Sequence, residues 1–225
     1  MHRLLMTSAT YRQSSNAERG TRNAERKADP RLEDPDNALL SRMPLTRLDA
    51  EALYDSMLAV AGRLDQTEGG PADAVKARPD GLITPGPTPR GGWRRLIYVC
   101  QARKQLPTHL ENFDYPQMNP NCLERRDSTV APQALHLMNN GMVQQLSEDF
   151  ARRLEREAGP DRAKQVERAY LAALGRFPSD AERRLALAAL GKFAAAWGSK
   201  PDANLRALAS FCHALMNSAE FVYVD

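Results

Sequence analysis

Apolar residues recur at helical spacing along several stretches of this chain, and the first clear stretch is residues 45–64. Its apolar face consists of Leu48, Leu53, Met57, Val60, Ala61 and Leu64. Charged residues lie mostly on the opposite side, as in a surface helix that packs along one face. Thr46 and Asp49 have the spacing of a capping box at its start, with Asp in place of the usual Glu. The pattern predicts one amphipathic helix here.

Further helices are predicted from Pro132 to the end of the chain. Proline suits a first helical turn, and Ser128 or Thr129 could cap this helix, which we expect to break at 139–141. The expected starts and ends of the helices that follow are Gly159, Asp161, Gly175, Ser179 with Glu182, Gly198 and Asp202. The side chains predicted to face inward are Leu135, Met138, Val143, Leu146, Phe150, Leu154, Val166, Tyr170, Ala173, Leu174, Leu185, Ala189, Phe193, Trp197, Leu205, Leu208, Phe211, Cys212 and Leu215.

Two segments have strand character, and one long segment has no helical pattern. Residues 65–93 are rich in Pro and Gly, which predicts a long connection. Residues 93–102 alternate apolar side chains on both faces, which predicts a short buried strand and the only clear one before the carboxyl terminus. Residues 219–225 end in a strand-like alternation. The predicted fold is therefore mainly α: a helical hairpin array with a short strand or small sheet and a long Pro/Gly-rich connection.

The first 35 residues differ from the rest of the chain. Residues 2–15 could form a short helix or an extended arm. Residues 16–35 are charged, nearly lack apolar side chains and contain NAER twice, which is typical of a solvated insert. We therefore predict an amino-terminal arm and polar insert over 1–35 and a single mainly helical domain over 36–225, with 65–93 as its Pro/Gly-rich loop.

Composition narrows the class of protein. A net charge of +3, mixed in sign along the chain, gives little support for nucleic-acid binding. The sequence has no run of roughly 18 apolar residues that would indicate a membrane span. Three cysteines, Cys100, Cys122 and Cys212, are an odd number, which argues against a disulfide framework. One disulfide with a free thiol and three buried free thiols both remain open.

Candidate chemistry concentrates in residues 98–140, which are crowded with polar side chains. The weak candidates for acid–base or anion-binding roles are His109, Glu111, Asp114, Arg125, Arg126 and Asp127. Cys122 could also form a nucleophile pair with His109 or His136. No zinc or haem spacing occurs, so no metal or cofactor site is predicted in this chain. The structural alternative is that these residues form turns, with Arg125 and Arg126 paired to nearby carboxylates.

Several segments together resemble a known family. They are MHRLLMTSATYRQSS, SRMPLTRLDAEAL, RRLIYV, FDYPQMNPNCLERRDSTVAPQALHLMNN, RAYLAALGRFPSDAE and FCHALMNSAEFVYVD. This ordered series resembles the carboxyl-terminal domain called domain of unknown function 1553, found in planctomycete-type cytochrome-associated proteins. The resemblance implies an exported protein, periplasmic or otherwise extracytoplasmic, with a c-type cytochrome module and another domain before this one. It also suggests an amino-terminally truncated chain. It supplies no catalytic residue.

Three hypotheses about function follow. The first is a non-catalytic structural or interaction part of an exported cytochrome-associated multidomain protein, whose partners would be the cytochrome-type and other domains. The second is an enzyme acting on (sulfated) polysaccharide, with a site in 98–140; the resemblance implies this class because family members are associated with polysaccharide utilisation. The third is a nucleic-acid-binding module, which a continuous basic face joining Arg12, Arg22, Arg94 and Arg95 would favour.

Overall fold

The computed structural model describes residues 2–9, 11–12, 34–40, 42–102, 105–116, 125, 128–198, 200 and 202–224. Cys122, Arg126, Asp127 and most of the predicted polar insert lie outside these residues. Within them the chain forms nine α-helices and only two-stranded sheets, so the mainly α prediction is confirmed. None of the described helices is long and apolar enough to cross a membrane.

The chain divides into two compact units, which are 1–47 with 223–225, and 48–222. The first unit contains helix α1 (His2–Met6) and strands β1 (Thr46–Arg47) and β6 (Tyr223–Val224). These strands pair antiparallel, with Thr46 opposite Val224. The predicted carboxyl-terminal strand is therefore shorter than expected, because 219–222 form a helical turn instead. The predicted boundary between residues 35 and 36 stays a prediction.

The second unit begins with helix α2 (Ala50–Ala61), which ends at Gly62 in the left-handed conformation (φ 71°). The predicted capping box is wrong. Thr46 lies in β1, outside the helix, and Asp49 occupies the N-cap position without a side-chain hydrogen bond to the helix. The carboxylate of Asp49 instead forms a salt bridge with Arg125, which is distant in sequence.

The Pro/Gly-rich region contains short strands. These are β2 (Leu64–Asp65), β3 (Val75–Ala77), β4 (Ile83–Pro85) and β5 (Trp93–Arg94). β2 pairs parallel with β5, and β3 pairs antiparallel with β4. The prediction that the segment 93–102 is the only clear strand before the carboxyl terminus is therefore wrong.

The predicted strand over 93–102 ends after Arg94 and continues as a 3-10 turn over Leu96–Tyr98. The backbone N–H of Leu96 donates to Asp55 Oδ1 at 2.8 Å, so a side chain of α2 takes a group that a strand ladder would use. Leu96 is fully buried while its neighbour Ile97 is exposed. The apolar run is therefore attached to α2 at Leu96, through this hydrogen bond and the buried side chain.

Most of the second unit is helical. Its remaining helices are α3 (Thr108–Asn112), α4 (Ala131–Asn139), α5 (Gly141–Ala158), α6 (Arg162–Leu174), α7 (Asp180–Trp197), α8 (Ala203–Met216) and α9 (Ala219–Val222). Helix α5 packs against α8 and α2, while α7 packs mainly against α8. The largest fully buried side chains include Leu53, Met57, Phe150, Leu154 and Val166. The core therefore lies where α5 meets its neighbours.

Several predicted helix ends are confirmed. Asp161 accepts hydrogen bonds from the N–H groups of Ala163 and Lys164, and Ser179 with Glu182 forms a reciprocal capping box. The break at 139–141 separates α4 from α5. The caps at Ser128 or Thr129 are wrong, because α4 begins at Ala131 and the residue before it, Val130, occupies the N-cap position.

Three side chains predicted to face inward are exposed, namely Leu135, Met138 and Leu185. In α7 the buried positions are Ala186 and Leu190, one residue beyond the predicted stripe. A shift by one residue rotates a helix face by about 100°. The small side chain of Ala186, rather than the large one of Leu185, is therefore buried.

Candidate functional site

His109 lies in α3 and is buried against the start of α2. Its Nε2 lies 2.8 Å from the backbone oxygen of Ala50, and since a carbonyl can only accept, Nε2 carries the proton. The imidazole stacks on the ring of Phe113 with centroids 4.7 Å apart and 27° between the planes. This histidine joins α3 to the first turn of α2.

His136 lies in α4 between two asparagine amides. The amide of Asn112 is 3.0 Å from Nδ1, and that of Asn140 is 3.4 Å from Nε2. Asn140 Oδ1 accepts the N–H of Met142 at 2.8 Å as the cap of α5, so its nitrogen faces His136. Both contacts are made by the amide nitrogens, and because a neutral imidazole accepts at only one of its nitrogens, only one of the two amides donates to this ring.

Burial fixes the charge of this histidine. Desolvation lowers the pKa of His136, so the ring is neutral at pH 7. The ring also lies 5.5 Å from His109 between centroids, at 56°. Two imidazoles and two amides thus form a buried polar layer between α3 and α4.

Asp114 follows α3 and ties it to the start of α4. Its carboxylate accepts the backbone N–H of Ser128 at 2.9 Å and the Ser128 hydroxyl at 2.8 Å. Gln133 Nε2 donates to the same carboxylate at 3.1 Å, and Gln133 Oε1 accepts the N–H of Val130. Asp114 has a φ of 59°, a left-handed conformation that Asp tolerates better than most residues. Ser128, predicted as a helix cap, therefore donates to Asp114 instead. We call the hydrogen bonds that join Asp114 to Ser128 and Gln133 the bracket.

Arg125 joins the polar segment 98–140, called the central stretch below, to α2. Its guanidinium bonds both oxygens of Glu51 at 2.9 Å and lies 3.0 Å from Asp49 Oδ1. It also lies over the ring of Tyr115, 5.8 Å from the centroid. Burial alone would raise the pKa of Glu51, but hydrogen bonds from Arg125 and the backbone, with the Arg125 charge, lower it on balance. The expected pairing of Arg125 with nearby carboxylates is confirmed.

The other predicted site residues have different outcomes. Glu111 is exposed on α3. Arg126 and Asp127 lie outside the described residues, as does Cys122, so the nucleophile pair stays a prediction. Within the described part of the chain, no three His, Cys, Asp or Glu side chains are grouped closely enough to hold a metal ion.

The two described cysteines differ in environment. Cys212 is fully buried in α8, and this burial raises the pKa of its thiol. Cys100 is exposed, so the alternative of three buried thiols is wrong for this residue. Both are free thiols. Buried Cys212 has the character of a core side chain.

Sequence reasoning missed the inward polar face of α4. Gln133, His136 and Asn140 are all buried and lie three and four residues apart, so they share one side of the helix. The signal was therefore present as a polar stripe of helical period. The apolar stripe gives the opposite prediction, because the apolar side of an amphipathic helix usually faces the core.

Comparisons with known proteins give one match. No curated protein and no solved structure matches the chain. The family described as PSD1, Protein of unknown function (DUF1553), matches residues 1–190, which is most of the 225 residues. The match agrees with the resemblance, since five of the six segments that carry it lie within residues 1–190, while FCHALMNSAEFVYVD lies beyond them. The chain therefore belongs to the DUF1553 family of proteins of unknown function.

Proposed function

We propose that this chain is a non-catalytic interaction domain of an exported, cytochrome-associated multidomain protein, and that it docks through the outer face of α4. The observation that carries the proposal is the inverted burial of this helix. Its polar residues Gln133 and His136 face inward together with Leu137, while Leu135 and Met138 face outward. An exposed apolar helix face of this kind is typical of a protein interaction surface.

The outward face is continuous along the helix. Leu135 and Met138 are each 55% exposed, and Val130 at the N-cap position is 47% exposed. Ala131 and Ala134 are exposed between them. Residues 131, 134, 135 and 138 follow helical spacing, so they form one stripe. Methionine is enriched at protein interfaces, which also supports a docking role.

The polar contacts of the central stretch support a non-catalytic role. His109, Asp114 and Arg125 each bond a group that holds the helices in place, namely a backbone carbonyl, a serine with a glutamine, and two carboxylates. A catalytic acid or base must reach a substrate proton in a site that admits substrate. Side chains engaged in this way are better suited to holding the fold.

The proposed occupant of the α4 face is another domain of a longer family protein. The family resemblance implies a c-type cytochrome module and a further domain, together with an extracytoplasmic location. The domain interface within such a protein would bury the apolar stripe and leave the polar surfaces in water. The same arrangement explains why an apolar face is retained on this helix.

The test compares two exposed leucines. Leu135→Glu places a charge on the α4 face, whereas Leu185→Glu does so on α7, where Leu185 is 71% exposed. Binding to the amino-terminal portion of a family protein, including its cytochrome module, is measured by calorimetry. We expect Leu135→Glu to weaken binding at least about tenfold, equivalent to about 1.4 kcal/mol. Leu185→Glu should bind as the unmodified chain does, and circular dichroism should show both variants folded.

Results of two kinds would contradict the proposal. One kind is a binding result, namely equal binding by both variants or no binding by the unmodified chain. The other is product formation when the chain is incubated with plain and sulfated polysaccharides, provided that the activity is lost in Asp114→Asn at a temperature where this variant is folded. The latter result would favour the enzyme hypothesis instead.

A further inference from the structure

Tyr54 in α2 carries a buried hydroxyl that needs a partner. The residue is only 2% exposed, and its hydroxyl has no hydrogen-bond partner among the described residues. Burial raises the pKa of Tyr54, so the hydroxyl is neutral and can both donate and accept. A buried hydroxyl left without a hydrogen bond is destabilising, and native proteins rarely retain one.

The side chain of Tyr54 lines a small cavity beside the buried polar layer. His109, His136 and Asn140 supply its other nitrogen-bearing side chains, and Met57 and Val143 are among its apolar ones. The cavity volume is about 20 Å³. A single water needs roughly 10–15 Å³ of such space, whereas organic ligands need several hundred Å³. The size therefore selects one water molecule.

The polar lining offers the hydrogen bonds that a buried water requires. The side-chain nitrogen of Asn140 has two hydrogens, of which one faces His136 Nε2, 3.4 Å away. A second hydrogen can be donated to a water, and the Tyr54 hydroxyl can accept from or donate to it. Buried waters make about three such bonds on average, within a range of two to four.

We propose that this cavity is a binding site for one ordered water, which bridges the Tyr54 hydroxyl and the side chain of Asn140. The water joins the middle of α2 to the junction of α4 and α5. It thereby completes the buried polar layer formed by His109, His136 and the asparagine amides. This assignment is independent of what binds the outer face of α4.

The first experiment measures the melting temperature of Tyr54→Phe. If the water is present, the substitution removes one of its partners, and the melting temperature falls. Tyr115→Phe is the matched control, because its hydroxyl donates directly to Gln101 Oε1. We expect both variants to melt below the unmodified chain. If the hydroxyl were truly unsatisfied, Tyr54→Phe would instead raise the melting temperature, and the proposal would be overturned.

The second experiment is a high-resolution crystal structure of the unmodified chain. We expect an isolated density peak in the cavity within about 3.2 Å of Tyr54 Oη, a normal hydrogen-bond distance. The same map of Tyr54→Phe should show the peak weakened or absent. A cavity without density, or a protein atom bonded directly to Tyr54 Oη, would overturn the assignment.

Discussion

Asp114→Ala tests whether the polar stretch after α3 acts as a structural bracket. The carboxylate receives hydrogen bonds from the N–H and hydroxyl of Ser128 and from the amide of Gln133. Alanine removes every one of these bonds and leaves the buried Gln133 amide without this acceptor. It also keeps a side chain on a backbone with φ of 59°. The substitution should therefore be among the most destabilising changes outside the apolar core.

The size of the effect follows from these contacts. Hydrogen bonds to a charged group contribute about 1.5–3 kcal/mol net, and the lower end applies here because the carboxylate is only half-buried. Placing alanine in a left-handed conformation adds about 1 kcal/mol. We expect a total loss of about 2.5 kcal/mol in the free energy of unfolding. Asp114→Asn keeps one acceptor and tolerates the conformation, so it should lose about 1 kcal/mol.

Urea unfolding followed by circular dichroism measures these losses. Asp114→Gly serves as a diagnostic, because it loses the same bonds without the strain of a Cβ at positive φ. Glu148→Ala is the surface control, since Glu148 is half-exposed and pairs only weakly with Arg152 at 3.4 Å. It should cost less than about 0.5 kcal/mol. If Asp114→Ala were no more destabilising than this control, the bracket would have no structural role.

Two further changes separate electrostatic from steric effects in this fold. Arg176→Gln should lower the free energy of unfolding by about 2 kcal/mol at pH 7, after allowance for screening of this partly exposed pair. Hydrogen bonds from Arg176 lower the pKa of Glu182 from 4.5 to about 2, so this contribution is present above pH 4.5 and is lost as pH falls towards 2. A loss in urea unfolding that does not change between pH 7 and pH 3 would contradict this account. Gly92→Ala should cost at least about 2 kcal/mol, because a Cβ there would lie 2.5 Å from the Arg63 carbonyl oxygen. Gly191→Ala, which meets nothing within 4 Å in α7, should instead add about 0.5–1 kcal/mol, and equal effects of the two in thermal unfolding would refute the steric argument.

The features that sequence predicted well are those that depend on local interactions. The capping box of Ser179 with Glu182 and the cap at Asp161 involve only residues within one helical turn. The apolar stripe of α5 is confirmed at Val143, Leu146, Phe150 and Leu154, all of them buried. At these positions the interactions that determine the structure involve only a residue and its near neighbours in sequence.

The predictions that failed depend on contacts with distant residues. The run after Arg94 has strand propensity, but the carboxylate of Asp55 takes the N–H of Leu96 and turns the chain. Thr46 has cap spacing, yet it pairs with Val224 at the other end of the chain. Neither partner belongs to the local pattern, so the local preference predicts the wrong structure at both places.

Helix α4 shows why periodicity alone could not assign the site. In a helix with one apolar and one polar stripe, both stripes have the same period. The pattern therefore shows that the two faces differ, but it does not show which face is buried. Here the buried face is decided by hydrogen-bond partners in and just after α3. Asn112 contacts His136, and Asp114 accepts from Gln133. Burying those polar groups would be costly without these partners, and with them the cost is offset. Once the polar face is satisfied inside, the apolar side chains of Leu135 and Met138 point outward, and the docking that we propose for this face would remove them from water.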